Sequence, residues 1–301
     1  MVQSILSVLI VLSASVQLSA KEILFEGYYK ITSAEKHIGF SLIRYEFDNT
    51  QKKFYSTSLT KISSPGLEVM ESLSATAEAD DFMTPVSYKY TGLIGKESKI
   101  FEVEFKKGKT AKDKNKMTVT KVVNGGKPQT SKSDIESDVF LSTFLSYRML
   151  RSKTGIQTQS QFKYQAVAEE DAKVEAGTAK VLNEEKYKGF TAFKIENTFK
   201  NGLFVSHVTD KGEALATLVP DAKITSELVA KPADAIGTIG LPESIMKSLF
   251  GKMPIADKNV VTQYFNTQEK SGALPGKTQG VPAGQGIIIS PKESKSLKEG
   301  P

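Results

Sequence analysis

The 301-residue chain has no cysteine and no tryptophan, two histidines and three arginines. Each shortage excludes something. Without Cys there is no disulfide framework, so the core alone must hold the fold. There is also no thiol nucleophile and no Cys to carry a lipid. Two separate histidines, His37 and His207, make neither a His-x-x-x-His pair nor a Cys/His set, so no zinc site is expected. A chain without Trp also lacks the ring that sugar faces most often stack on. The net charge of +6 is a lysine charge, since Arg44, Arg148 and Arg151 are the whole arginine complement. Arg is the residue that forks onto phosphates and guanine edges, so nucleic-acid reading is not expected. No stretch after residue 20 is apolar enough to span a bilayer.

Residues 1–20 read as a secretory signal peptide. Ile5–Val16 is too short for a comfortable membrane span, and Leu18-Ser19-Ala20 is a small-residue cleavage site. The segment departs from the usual pattern in having no Lys or Arg before its apolar core, which leaves an uncleaved N-terminal anchor as the rival. Export is the expectation, and not as a lipoprotein.

From Lys21 onward the pattern has period two. Ile23, Phe25, Tyr29 and Ile31 share one face of a first strand. His37–Phe47 makes a second, but its apolar parity switches between Leu42 and Ile43. That predicts a bulge, a strong twist, or burial of both faces. Lys53–Ile62 follows. Leu67–Ala79 alternates most cleanly, with Leu67, Val69, Leu73, Ala75, Ala77 and Ala79 on one side. Small residues on a strand mark the close approach of another element. Further strands follow up to Val219, and Asn124-Gly125 and Asn201-Gly202 are hairpin signals.

One long apolar segment breaks this regime: Asp138–Ser152, DVFLSTFLSYRMLRS. Its spacing predicts a helix capped by Ser137 or Asp138. The chain therefore reads as mainly β: a large curved antiparallel sheet, a half-barrel or open barrel, wrapped around one α-helix. The boundaries expected are 1–20 signal peptide, 21–220 β domain and 221–273 C-terminal extension, with a short helix at 242–251. Residues 274–301 are rich in Gly, Pro and Lys and should be disordered.

The order of elements resembles a known family. The hairpin HIGFSLIRYEFD is followed by LEVMESLSATAEAD, a Pro-Val-Ser-Tyr-Lys-Tyr strand, SDVFLSTFLSYRMLR and GFTAFKIENTF. That succession, over about Phe25 to Pro220, is similar to exported Gram-negative proteins grouped as a domain of unknown function, the DUF3108-like family. The resemblance implies a half-barrel like that of periplasmic lipoprotein-localisation proteins, and a periplasmic location. It carries no active site. The lysine-rich segment and the chain beyond Pro220 have no counterpart in it.

Catalytic chemistry finds no foothold in the motifs. Gly-x-Ser-x-Gly is absent, and Gly92–Lys96 lacks phosphate-loop spacing. Asp80-Asp81 and Glu169-Glu170-Asp171 lack calcium-loop alternation and read as solvated turns. No catalytic residue, metal or cofactor is expected. The candidate site is an apolar groove between helix and sheet, lined by Leu73, Ala75, Ala77, Phe140, Phe144, Leu145 and Tyr147, with Arg148 meeting an anionic head group. It competes with plain core packing of the same residues. Lys107, Lys109, Lys112, Lys114 and Lys116 read as a solvated hairpin tip or as a patch touching an anionic surface.

Three functions compete. The first is an exported non-enzymatic protein binding a hydrophobic small molecule, an acyl chain or lipid, or else an envelope protein. The second is a structural protein with a solid core. The third is a hydrolase with dispersed carboxylates.

Overall fold

The computed structural model describes residues 21–270, apart from 109, 111 and 112. The expectations for 1–20 and 274–301 lie outside these residues. The chain divides into two compact units, 1–264 and 265–301. Only the helical residues 265–270 of the second unit are described, and everything below concerns the first.

Eight strands form one continuous meander: β1 (Glu22–Ser33), β2 (Lys36–Asp48), β3 (Lys53–Ser64), β4 (Leu67–Glu78), β5 (Pro85–Ile94), β6 (Glu97–Lys106), β7 (Asn115–Val123) and β8 (Gln129–Ile135). A two-residue strand β9 (Phe140–Leu141), a 3-10 turn (Ser142–Phe144) and helix α1 (Leu145–Leu150) follow. A second meander then runs through β10 (Gln161–Ala168), β11 (Lys173–Tyr187), β12 (Phe190–Phe199), β13 (Gly202–Val208), β14 (Ala214–Val219) and β15 (Ile224–Val229). β1 and β15 pair antiparallel and join the two meanders. The result is one 15-stranded sheet ordered β8 to β1, then β15 to β9, in which β9–β10 alone runs parallel.

This order forces the sheet to curl. β8 and β9 are its two opposite edges, yet only residues 136–139 connect them. Laid flat, fifteen strands would span roughly 65 Å at the usual interstrand spacing. Five peptide steps reach at most about 18 Å. The sheet therefore rolls until its edges approach, and β9 also touches β4 across the interior. The edges share no ladder, so the sheet is curved and not closed.

The helix is shorter than the sequence pattern predicts. Asp138 to Leu141 is not helical; Phe140 and Leu141 are extended and pair with Ala166 and Val167. No side chain within the segment caps it, neither Ser137 nor Asp138. Local spacing favoured a helix, but the backbone there satisfies its hydrogen bonds on β10 instead.

A second difference lies beyond Pro220. The expected boundary cuts off β15, which sits at the centre of the sheet between β1 and β14. Its sequence, ITSELV, is too short and mixed to announce a strand. α2 (Pro232–Ile236), α3 (Glu243–Phe250) and α4 (Val260–Lys270) then follow. α3 matches the predicted 242–251 helix. Through Ala235, Met246 and Phe250, this segment packs on Tyr28, Phe40, Leu42 and Leu59. Those side chains leave the face of the sheet opposite to Phe25, Ile43 and Tyr45, which belong to a different cluster. The parity switch in β2 is thus burial of both faces: its register against β3 is unbroken from Gly39 to Asp48.

Asn124 and Gly125 both have positive φ, 50° and 66°, as a tight type I′ turn requires. At the other hairpin signal the turn falls one residue earlier than read, on Lys200 and Asn201, because Gly202 pairs with Phe199.

Candidate functional site

The inner face of the sheet has a solid part and an open part. In the solid part, Ala75 and Ala77 of β4 are 3% and 0% exposed, and Phe144 is fully buried. They form one cluster with Leu141, Val103 and Phe54. The two alanines leave the depth that the Phe144 and Tyr147 rings occupy. Tyr147 meets Tyr45 edge-on at 4.9 Å between centroids. Phe140 packs against Tyr164 at 5.5 Å. Leu145 belongs to another cluster, with Met149 and Val181. Arg148 lies between the rings of Phe82 and Phe162, at 5.3 and 5.5 Å. Of the eight residues named for a groove, Leu73 borders open space.

Leu73 marks the change. On the same face, two residues back along β4, stands Glu71. Ser58 and Tyr90 lie opposite Leu73 on the neighbouring strands, and Thr60 lies opposite Glu71. With Glu169 and Glu170 they enclose a cleft of about 370 Å³. A smaller pocket of about 100 Å³ continues from it past Tyr90 toward Lys99 and Asp171.

Two carboxylates in this cleft are held differently. Glu71 accepts the Tyr90 hydroxyl at 2.6 Å. The Tyr90 ring lies over Gly92, where a Cβ would stand 2.6 Å from the hydroxyl oxygen; glycine there lets the ring lie flat along the strand. Glu169 comes from the turn between β10 and β11 and is 4% exposed. Its Oε2 accepts the Ser142 hydroxyl at 2.5 Å, and its Oε1 accepts the Thr143 backbone N–H at 3.1 Å. A distant carboxylate thus serves the first helical turn, where the sequence offered no local cap. Burial raises the Glu169 pKa to about 7, against the pull of those donors. Reading Glu169 as a solvated turn residue is therefore corrected. The neighbouring Glu170 and Asp171 are partly exposed and pair with Lys200.

The remaining candidates are dispersed. His37 Nε2 lies 2.9 Å from the carbonyls of Gly39 and Ala235. His207 pairs with Glu185 at 2.8 Å and stacks on Tyr187. Lys107 and Lys114 pair with Asp80 and Glu136; Lys109 and Lys112 lie outside the described residues, and Lys116 is exposed. Among the described residues no group of three or more His, Asp or Glu side chains is placed to hold a metal ion. No described helix is long and apolar enough to cross a membrane.

Sequence reading missed Ser58, Thr60, Glu71, Tyr90, Glu169 and Glu170. One signal was available: Glu71 shares the parity of Leu73, Ala75 and Ala77. A charged residue on an otherwise apolar face marks a place the core does not fill. Glu169 gave no such signal, because its burial depends on which turn the rolled sheet brings over the helix.

No protein-family model matches the chain, and no curated protein matches it either. Among solved structures it is similar to a β-barrel-like protein of the domain of unknown function DUF1849 from Brucella abortus. The identity is 11%, the match covers 70% of this chain and 98% of that one, and the TM-score is 0.46. By its own strand order the chain is a mainly β protein built on one curved, unclosed 15-stranded sheet.

Proposed function

We propose that this is an exported, non-catalytic binding protein whose rolled sheet holds a small amphipathic molecule in the cleft beside Leu73. The cleft itself carries the reading: it is open space of ligand size on the inner face, with an apolar wall at Leu73 and Tyr90 and polar groups around it. An acyl chain laid along Ala75 and Ala77 is the narrower version of the idea. Phe144 and Tyr147 already cover that strip, so the apolar part of the ligand is limited to the Leu73 end. Periplasmic location and kinship with the DUF3108-like family belong to the same reading and rest on the sequence patterns.

Native mass spectrometry of protein isolated from its own host tests this. A retained adduct of a few hundred daltons is expected, lost on Leu73→Arg. An adduct-free protein whose melting temperature no small amphiphile shifts would leave the second reading. In that reading a solid-cored envelope protein acts through its surface, including the lysine tip at Lys107 to Lys116. The burial of Phe140, Phe144 and Leu141 favours it. The hydrolase reading gains Glu71 and Glu169 in one cleft. Both carboxylates are engaged by neighbouring donors, and no hydrolase motif accompanies them in the sequence.

A further inference from the structure

Large apolar side chains that face solvent gather at one end of the first meander. Leu67 follows the β3–β4 turn, Leu93 and Ile94 precede the β5–β6 turn, and Val123 precedes the β7–β8 turn; all four are exposed. In an antiparallel meander every second turn lies at the same end, so these three are neighbours. Hydrogen bonds lace them together. The Gly95 N–H donates to the Glu68 carbonyl at 2.8 Å, and the Asn124 N–H to the Ser98 carbonyl at 2.9 Å. The Ser98 N–H donates in return to Asn124 Oδ1 at 2.8 Å. Ile94 stands opposite Val69 and Leu93 opposite Met70, so the rim is apolar on both faces of the sheet. A single exposed leucine is ordinary, but four large apolar side chains on three joined tips form a patch. The charge beside it is mainly positive: Lys96, Lys99, Lys121 and Lys127 against Glu68 and Glu97. Among the described residues none of these four lysines enters an ion pair. The turns at the opposite end of the same strands differ. There Lys107 and Lys114 are already paired with Asp80 and Glu136, and Phe82 is the one large apolar side chain exposed among the described residues.

From this arrangement we infer that the three turns form a docking rim for the surface of an anionic phospholipid bilayer. Interfacial binding draws on buried apolar area and on attraction between lysines and anionic headgroups, and the rim offers both. Leu67, Leu93, Ile94 and Val123 enter the headgroup region, and the unpaired lysine ammoniums meet the phosphates. Ile94 and Lys99 also line the pocket that continues the inner cleft, so a docked rim brings that pocket to the membrane. The inference goes beyond the binding reading above and holds whether or not the cleft takes a ligand.

Co-sedimentation with large unilamellar vesicles tests this, using protein isolated from its own host and variants prepared in the same way. Phosphatidylcholine vesicles containing about one-third phosphatidylglycerol are expected to bind it, and pure phosphatidylcholine vesicles to bind it about tenfold less or weaker still. Leu93→Ser/Ile94→Ser should weaken binding to the anionic vesicles about tenfold or more, through the lost apolar area. Lys96→Gln and Lys127→Gln should each weaken it about fivefold. Lys107→Gln/Lys114→Gln removes two charges at the far end, beyond the screening length, and should change it by less than about twofold. The chain has no tryptophan, so Leu93→Trp adds a single reporter that is read even if the serine variant fails to fold. Its emission should shift to the blue on the anionic vesicles, and that of Phe82→Trp should not. No sedimentation with anionic vesicles, binding indifferent to the rim substitutions, or an unmoved Leu93→Trp emission overturns the inference. A shift of Phe82→Trp in its place assigns the contact to the lysine tip and overturns it equally. None of these outcomes bears on the adduct test above, so the two readings fail separately.

Discussion

Glu26 and Arg44 form an ion pair on the outer face of β1 and β2, with side chains 1% and 5% exposed. Arg44 Nε donates to Glu26 Oε2 at 2.6 Å; Nη2 lies 2.5 Å from the same oxygen without hydrogen-bonding alignment. The pair is also a clamp. Arg44 Nη1 donates to the Phe250 carbonyl at 3.0 Å, and the Ala256 N–H donates to Glu26 Oε1 at 2.6 Å. Asn259 donates its side-chain amide to the Glu26 carbonyl at 2.8 Å. Two neighbouring residues of the sheet thereby seat the segment after α3.

Removing one partner leaves a buried charge alone. Arg44→Met or Glu26→Gln is expected to cost about 3–5 kcal/mol, and the double replacement Glu26→Leu/Arg44→Met markedly less than the sum. Urea unfolding of the two singles and the double measures this. A strictly additive double would refute the coupling.

Stability should also depend on pH through Glu169. Its folded pKa is about 7 against an ordinary 4.5, so the folded state holds this proton more tightly. The contribution is complete below about pH 4.5 and is lost as pH rises through 7, on the order of 3 kcal/mol. The charges around it are Glu170, Asp171 and their partner Lys200. Tyr45 and Tyr88 have pKa values raised by burial, so they stay neutral over this range. Glu169→Gln keeps an acceptor for the Thr143 N–H and removes the titration. Denaturant midpoints at pH 5, 6, 7 and 8 should fall for the natural chain and fall clearly less for this variant, which keeps the smaller contribution of Glu213, also raised by burial. Parallel profiles would show that the site does not titrate as argued.

The packing between β4 and the 3-10 turn makes a matched pair of expectations. Phe144→Ala empties a fully buried ring site and should cost about 3–5 kcal/mol. Ala77→Leu adds bulk where nothing is exposed and should cost about 1–3 kcal/mol. Leu73→Ala, at the border of the cleft, should cost least of the three, because one side of that side chain already faces open space. Chemical denaturation orders them; a Leu73 variant as costly as Phe144→Ala would mean the cleft is packed in solution.

Much of this architecture was legible because strand parity is a local property. Leu73, Ala75 and Ala77 declared a shared face, and the small residues declared that something packs on it. What lies on the other side of a strand is not local. The switch between Leu42 and Ile43 was visible, but its cause is a segment some two hundred residues away, anchored through Met246 and Phe250. The apolar run from Val139 read as helix because spacing cannot reveal that β10 offers Phe140 and Leu141 a ladder.

The amino-acid pattern alone determined that the chain is a cysteine-free, mainly antiparallel β protein interrupted by an apolar, helix-forming segment within 138–152. Periodicity and turn chemistry act over a few residues and need no partner. Only the tertiary structure decided that β15 closes the gap between the two meanders, that Glu169 is buried over the helix start, and that Glu71, Tyr90 and Glu169 share one cleft. Those outcomes depend on which distant residues the rolled sheet brings together, and the short link from β8 to β9 is one of the constraints that roll it.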